Sequence, residues 1–117
     1  MGIPASVRLR KPSEFQEVRR LGKRIHCGPF IFQCRLGGIQ TPPRLGVIAS
    51  RRVGNAVKRN YGKRIIRELF RKHAPNLPQC SELVIVLRNG FDHLPFAQVE
   101  AAFIKACHSI QKSGSTE

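Results

Sequence analysis

Arg59, Lys63, Arg67 and Arg71 recur at every fourth position of a segment, Ser50 to Lys72, that holds nine basic residues and one acid. On a helix this spacing draws four cations into one oblique stripe, with Asn60 and Arg64 beside it and Lys58 on the first turn. Like charges at i,i+4 repel, and Glu68 is the one acid in the segment to compensate. The chemistry such a stripe performs is phosphate binding. Consecutive turns space the charges about 6 Å apart along the axis, so the row can follow a nucleic-acid backbone. Asn60 carries a donor and an acceptor together, which suits a base edge or a 2′-hydroxyl. A solvated face with no partner normally mixes signs; this one does not.

The stripe requires a helix with defined ends. Asn55 is a good N-cap and Pro75 sets the far limit, so the spacing predicts a helix from Ala56 to Lys72. Tyr61, Ile65, Ile66 and Leu69 fall on another side. At the entrance, Arg51, Arg52 and Gly54 precede unpaired backbone N–H groups and the positive end of the helix dipole, an arrangement that favours an anion.

Around this helix the pattern reads α-β-β-α-β-α. Residues 1–11 read as an extended basic arm. Ser13 with Gln16 three later makes a capping box, opening a short helix that Gly22 closes and whose apolar face holds Phe15 and Val18. Phe30, Phe32, Cys34 and Leu36 alternate with Ile31, Gln33 and Arg35, as on a half-buried strand. Gly37, Gly38, Pro42 and Pro43 mark a loop before a second strand, Leu45 to Ala49. The unbroken apolar run Leu83 to Leu87 predicts a central strand covered on both faces. Pro95 starts a last helix with Phe96, Val99, Phe103, Ala106 and Ile110 toward the core, and residues 113–117 read as a frayed tail. Nothing divides residues 1–117 into more than one domain.

Composition narrows the partners. Lys and Arg number 21 against seven Asp and Glu, a net charge of +14 and a pI near 11.1. So lopsided a balance accelerates association with phosphate backbones and costs self-repulsion in the free protein. Arg outnumbers Lys fourteen to seven, which favours bidentate phosphate contacts and stacking over mere solubility. An apolar content of 41% is too high for a wholly disordered basic tail. No apolar run approaches the ~18 residues of a membrane span, and MGIPASVRLR lacks a secretory core, so the expected location is cytoplasmic with no membrane contact. The N-terminus fits the loose Met-Gly-x-x-x-Ser acylation pattern, which by itself specifies little. Cys27, Cys34, Cys80 and Cys107 lack metal-ligand spacing and read as reduced, mostly buried thiols. The acids are scattered, so a protein-borne nuclease centre is not expected. No feature calls for an obligate protein partner.

The string LGVIASRRVGNAVKRNYGKRIIRELFR resembles the signature of the bacterial ribonuclease P protein subunit. The matching positions are Ser50, Arg51, Arg52, Gly54, Asn55, Ala56, Val57, Arg59 and Asn60, and SEFQEVRRLGKRI and ELVIVLRNG stand on either side in family order. The resemblance covers about residues 9 to 110. It implies a small two-layer α/β (α+β) sandwich with a mixed sheet and a left-handed βαβ crossover around the basic helix. It also implies a role in a ribonucleoprotein endonuclease that removes the 5′ leader of precursor tRNA, with Mg²⁺-assisted hydrolysis at the RNA active site. The basic helix and its entrance (Arg51, Arg52, Asn55, Lys58, Arg59, Asn60, Lys63, Arg64, Arg67, Arg71) would bind the catalytic RNA.

By the same resemblance, a cleft between the first helix and the sheet holds the single-stranded leader. Phe15 and Phe30 match family aromatics there and are candidate base platforms, with a place in the core as their ordinary alternative. Arg19 and Gln33 stand where aromatics often line the groove, so leader binding leans on charge and hydrogen bonds more than on stacking. Arg35 shares the strand face of Gln33; Lys11, Lys23 and Arg24 border the cleft, and Arg88 ends the third strand. Two further departures are Tyr61, where the family commonly has Arg, and Gly62, where a helix-favouring aliphatic is usual and glycine costs about 1 kcal/mol of helix stability relative to Ala. Charge and fold class are equally compatible with a ribosomal or other structural RNA-binding protein, and the stripe with a DNA major-groove reader. An acylated membrane-surface protein would use the same charge on anionic lipid.

Overall fold

In a computed structural model, which describes residues 7–37, 42–78 and 81–115 with side chains as far as Ile110, the apolar run Leu83–Leu87 lies at the heart of a four-stranded sheet. The elements are α1 (Pro12–Leu21), β1 (Lys23–His26), β2 (Phe30–Leu36), β3 (Arg44–Ile48), α2 (Ala56–His73), β4 (Ser81–Leu87) and α3 (Phe96–Ser115). Strand order is β1-β2-β4-β3; β1 and β2 pair antiparallel, as do β2 and β4, while β3 runs parallel to β4. Parallel neighbours need a crossover, and α2 supplies it, so the basic helix is the middle of a βαβ unit.

Register assigns each side chain to a face. Phe30, Phe32 and Cys34 lie opposite Leu87, Ile85 and Leu83, and Leu45 and Val47 continue two of these rows onto β3. This face meets Ile65, Ile66, Leu69 and Phe70 of α2 and Val99, Phe103, Ala106 and Ile110 of α3 in the main core. The other face presents Gln33, Val84 and Val86, and there α1 packs Phe15 and Val18 beside Leu9 in a smaller cluster. Helix-on-sheet layering thus holds for α2 and α3, and α1 adds partial cover on the opposite side.

Several expectations change. The order contains an additional strand, β1, whose sequence KRIH is mostly exposed and shows no apolar alternation. It joins β2 through Cys27, Gly28 and Pro29, with Gly28 at φ +86° and the Cys27 N–H donating to the Phe30 carbonyl at 3.0 Å. Cys27 therefore lies in the turn between the two strands. The first helix is capped two residues earlier than Ser13 predicts: Lys11 is the N-cap, Pro12 begins the helix, and Glu14 Oε1 accepts from the backbone N–H groups of Arg10 and Lys11 at 2.9 and 3.0 Å. The arm is docked where described, since Leu9 is buried and its N–H donates to the Leu45 carbonyl at 2.8 Å. Phe96 is 46% exposed, not core-facing, because it opens the first turn of α3. That helix runs to Ser115, past the expected start of the tail. Residues 1–6 with the acylation pattern, Gly38 of the loop, Cys80, and residues 116–117 lie outside the described residues.

Candidate nucleic-acid interface

The basic helix forms where Asn55 and Pro75 place it. Asn55 Oδ1 accepts from the Lys58 N–H at 3.0 Å, satisfying one orphan donor of the first turn, so Asn55 acts as the cap. Ser50 and Arg51–Val53 form a 3₁₀ turn before it, and Gly54 at φ +147° makes the bend into the helix. One side of α2, Gly62, Ile65, Ile66, Leu69 and Phe70, is buried. Because i,i+4 steps advance about 40° around the axis, the predicted stripe climbs out of the fold. Arg59, Lys63 and Arg67 are half-buried along the flank, and Arg71 emerges fully. Asn60 and Arg64 join it on the outermost ridge.

Charge is unevenly matched along this helix. Glu68 bonds Arg71 at 2.8 Å, Glu100 takes Lys72 at 2.8 Å and His73 at 2.9 Å, and Asp92 takes Lys58 at 3.5 Å. The Glu68 and Glu100 carboxyls are accordingly held below their usual range, by Arg71 and by Lys72 respectively. Arg51, Arg52, Arg59, Lys63, Arg64 and Arg67 make no ion pair within 4.0 Å among the described residues. Burial, and then the neighbouring charge of Arg8, lowers the pKa of Arg67. The docked arm therefore brings its positive charge beside the stripe, a juxtaposition that sequence spacing does not show.

On the opposite face of the sheet a cleft of about 330 Å³ separates α1 from the strands. Phe15, Gln16 and Arg19 form its roof, and Arg24, Gln33, Val84, Val86 and Ile48 its floor. Gly46 completes the floor: a β-carbon there would lie 2.5 Å from Phe15 Cε2, so the glycine lets the ring seat against β3. Arg19 and Arg24 are exposed at this cleft, with no ion pair among the described residues. Gln33 is only 5% exposed, yet it lines the cleft.

Three predicted cleft residues sit elsewhere. Phe30 is fully buried on the far face, its ring 6.3 Å from that of Phe103, and offers no platform. Arg35 is in register with Glu82 and Arg44 across three strands. It pairs with Glu82 at 3.7 Å and Glu17 at 3.8 Å, while Arg44 pairs with Glu82 at 3.7 Å and Glu14 at 2.7 Å. This row of alternating charge fastens α1 to the sheet at one end of the cleft, so Arg35 has a structural task. Lys23, by its pairing with Cys34, belongs to the face opposite the cleft floor. Lys11 is exposed at the start of α1, and Arg88 is exposed just past β4, where its N–H donates to the Pro29 carbonyl at 3.0 Å.

All six described carboxylates, Glu14, Glu17, Glu68, Glu82, Asp92 and Glu100, sit in ion pairs. Among the described residues no three His, Cys, Asp or Glu side chains converge. Burial pushes the Cys34 and Cys107 thiols up to about 12, so both are protonated and poor nucleophiles. No described helix is long and apolar enough to cross a membrane.

Comparison with known proteins matches both sequence and fold. The profile of the family described as Ribonuclease P matches residues 3–111. The ribonuclease P protein component of Desulfotalea psychrophila is 36% identical over 105 residues, covering 90% of this chain and 87% of the relative. That of Dictyoglomus turgidum is 33% identical over 106 residues, covering 88% and 87%. Among solved structures, the RNase P protein from Thermotoga maritima superposes with a TM-score of 0.77 at 28% identity, over 88% of this chain and 96% of that one. The Staphylococcus aureus RNase P protein gives 0.76 at 26% identity, over 91% and 95%.

Proposed function

The chain belongs to the bacterial ribonuclease P protein family and is a protein component of that endoribonuclease, and we propose how it divides the work between its two faces. The α2 side binds the ribonuclease P RNA, and the cleft under α1 binds the single-stranded 5′ leader of precursor tRNA. One observation carries this reading. Every described acid is already paired, whereas Arg51, Arg52, Arg59, Lys63, Arg64 and Arg67 on the α2 side and Arg19 and Arg24 at the cleft make no ion pair among the described residues. Charge left unmatched on two separate surfaces fits two phosphate-bearing partners.

The chain contributes binding and positioning. Arg51 and Arg52 at the helix entrance, with Arg59, Lys63 and Arg67, replace counterions around closely packed RNA strands. Lys58, Asn60, Arg64 and Arg71 extend the same contact, Asn60 as a donor and acceptor for a base edge or 2′-hydroxyl. In the cleft, Arg19 and Arg24 hold leader phosphates, Gln33 offers a buried hydrogen-bonding amide, and Phe15 lends an apolar wall for a base. Lys11 and Arg88 extend the rim. The Mg²⁺ that assists hydrolysis would be held at the RNA active site. It would polarise the scissile phosphate and supply the attacking hydroxide there. Handling tRNA precursors places the protein in the cytoplasm.

The test compares precursor tRNA with and without its leader as ligands of the reconstituted holoenzyme. The Arg19→Ala/Arg24→Ala double variant is expected to lose preference for the leader-bearing form while keeping its affinity for the RNA subunit. An unchanged preference would show that the leader lies elsewhere.

A further inference from the structure

Tyr61 and Gly62 occupy positions where the family resemblance leads one to expect an arginine and an aliphatic residue, and the two changes are physically coupled. A β-carbon on Gly62 would lie 2.6 Å from Leu87 Cδ1 and 2.8 Å from Phe91 Cζ. The missing side chain is the space into which the buried Phe91 ring fits beneath α2. From there Phe91 backs Tyr61, the ring centroids 6.1 Å apart and the planes 33° from parallel. Tyr61 nevertheless stays 50% exposed, and Val57, one turn earlier on the same side, is 76% exposed. Two neighbouring apolar side chains thus open to solvent on the most basic helix of the molecule.

We propose that Tyr61 is a stacking platform for an unpaired base of the RNA subunit, its ring held in place by Phe91 in the space that Gly62 leaves. This rests on the α2 side being the RNA-binding face. An exposed aromatic ring with a guanidinium three residues on along the same side of the helix, here Arg64, is an arrangement that receives unstacked bases. A protein partner docking its own apolar surface would have to desolvate the surrounding cations, which an RNA strand instead neutralises. Pre-positioning by Phe91 lowers the entropy lost when the ring is engaged. In place of the charge that an arginine would supply, the site gains a contact that salt does not screen.

Tyr61 is the one tyrosine in the chain, which has no tryptophan, so 3-fluorotyrosine introduces a single ¹⁹F reporter. Its resonance is recorded with increasing ribonuclease P RNA, and the affinities of wild type, Tyr61→Phe, Tyr61→Leu and Arg59→Ala are measured across salt concentrations. The resonance is expected to shift on binding. Tyr61→Phe should bind within about twofold of wild type, and Tyr61→Leu about 5- to 100-fold more weakly with an unchanged salt slope. Arg59→Ala should weaken binding and reduce that slope by about 1. Since Tyr61→Phe keeps the contact with Phe91, it remains informative even where Tyr61→Leu unfolds. An unmoved resonance at saturating RNA, wild-type affinity in Tyr61→Leu, or loss in Tyr61→Phe would each overturn stacking. Failure of wild type to bind, or of Arg59→Ala to weaken binding, would instead overturn the assignment of α2, and stacking with it.

Discussion

Arg44 Nη2 lies 2.7 Å from Glu14 Oε2, joining edge strand β3 to the first turn of α1. The same Glu14 accepts, through its other oxygen, the backbone N–H groups of Arg10 and Lys11. One carboxylate therefore caps α1, orients the arm and closes one end of the cleft. These two N–H donors, and then the Arg44 guanidinium, hold its pKa at about 2.

A depressed carboxyl pKa stabilises the fold in full above its unfolded value and loses that contribution as pH falls through the folded one. For Glu14 the window runs from its ordinary 4.5 down to about 2. Urea unfolding between pH 6 and pH 2.5 should show wild type losing more stability than Glu14→Gln across that window. At pH 6 the variant should be less stable by about 1–2 kcal/mol, the worth of a lost cap. Parallel pH profiles for the two would contradict this role.

Phe15 and Phe30 should separate cleanly. Phe30→Ala empties a site in the main core and is expected to cost about 3–5 kcal/mol of stability. Phe15→Leu keeps an apolar wall but removes the ring, so it should weaken leader binding by up to about 1–3 kcal/mol, with a smaller change in stability. Arg35→Gln, which breaks the row with Glu17 and Glu82, should lower stability and leave the leader preference intact. Chemical denaturation and leader-dependent affinity on the same three variants check all of this.

Helix propensity alone would make Gly62→Ala stabilising by about 1 kcal/mol. Its new methyl would instead meet Leu87 and Phe91, both buried, so the expected result is a net loss of about 1–3 kcal/mol. A gain in the urea midpoint would mean that Phe91 yields readily and that Tyr61 has no firm backing.

The parts of this molecule legible in the sequence are those that local chemistry decides. Asn55 and Pro75 bracket α2, and the run Leu83–Leu87 reads as a central strand because both its faces are covered. β1 escaped notice because an edge strand exposed on most of its length needs no apolar pattern; the Gly28-Pro29 turn was its one local signal. Alternation on β2 separates Phe30 from Gln33, but which face α1 would cover depends on tertiary packing, so Phe30 could not be told from a cleft residue. Similarly, Glu82 meets Arg35 and Arg44 only through strand register. Phe91 sits in a short 3₁₀ turn with no periodicity to announce that it would underlie Tyr61.

The proposed RNA contact is made by the unmatched charge on α2. It is tested most directly by reconstituting the chain with ribonuclease P RNA and measuring precursor tRNA cleavage at low Mg²⁺, for wild type and for Arg59→Ala/Asn60→Ala. Wild type should stimulate release of the intact 5′ leader, and the double variant, still folded, should stimulate it at least tenfold less at sub-saturating protein. Equal stimulation by both would contradict the claim and move the RNA contact off this helix.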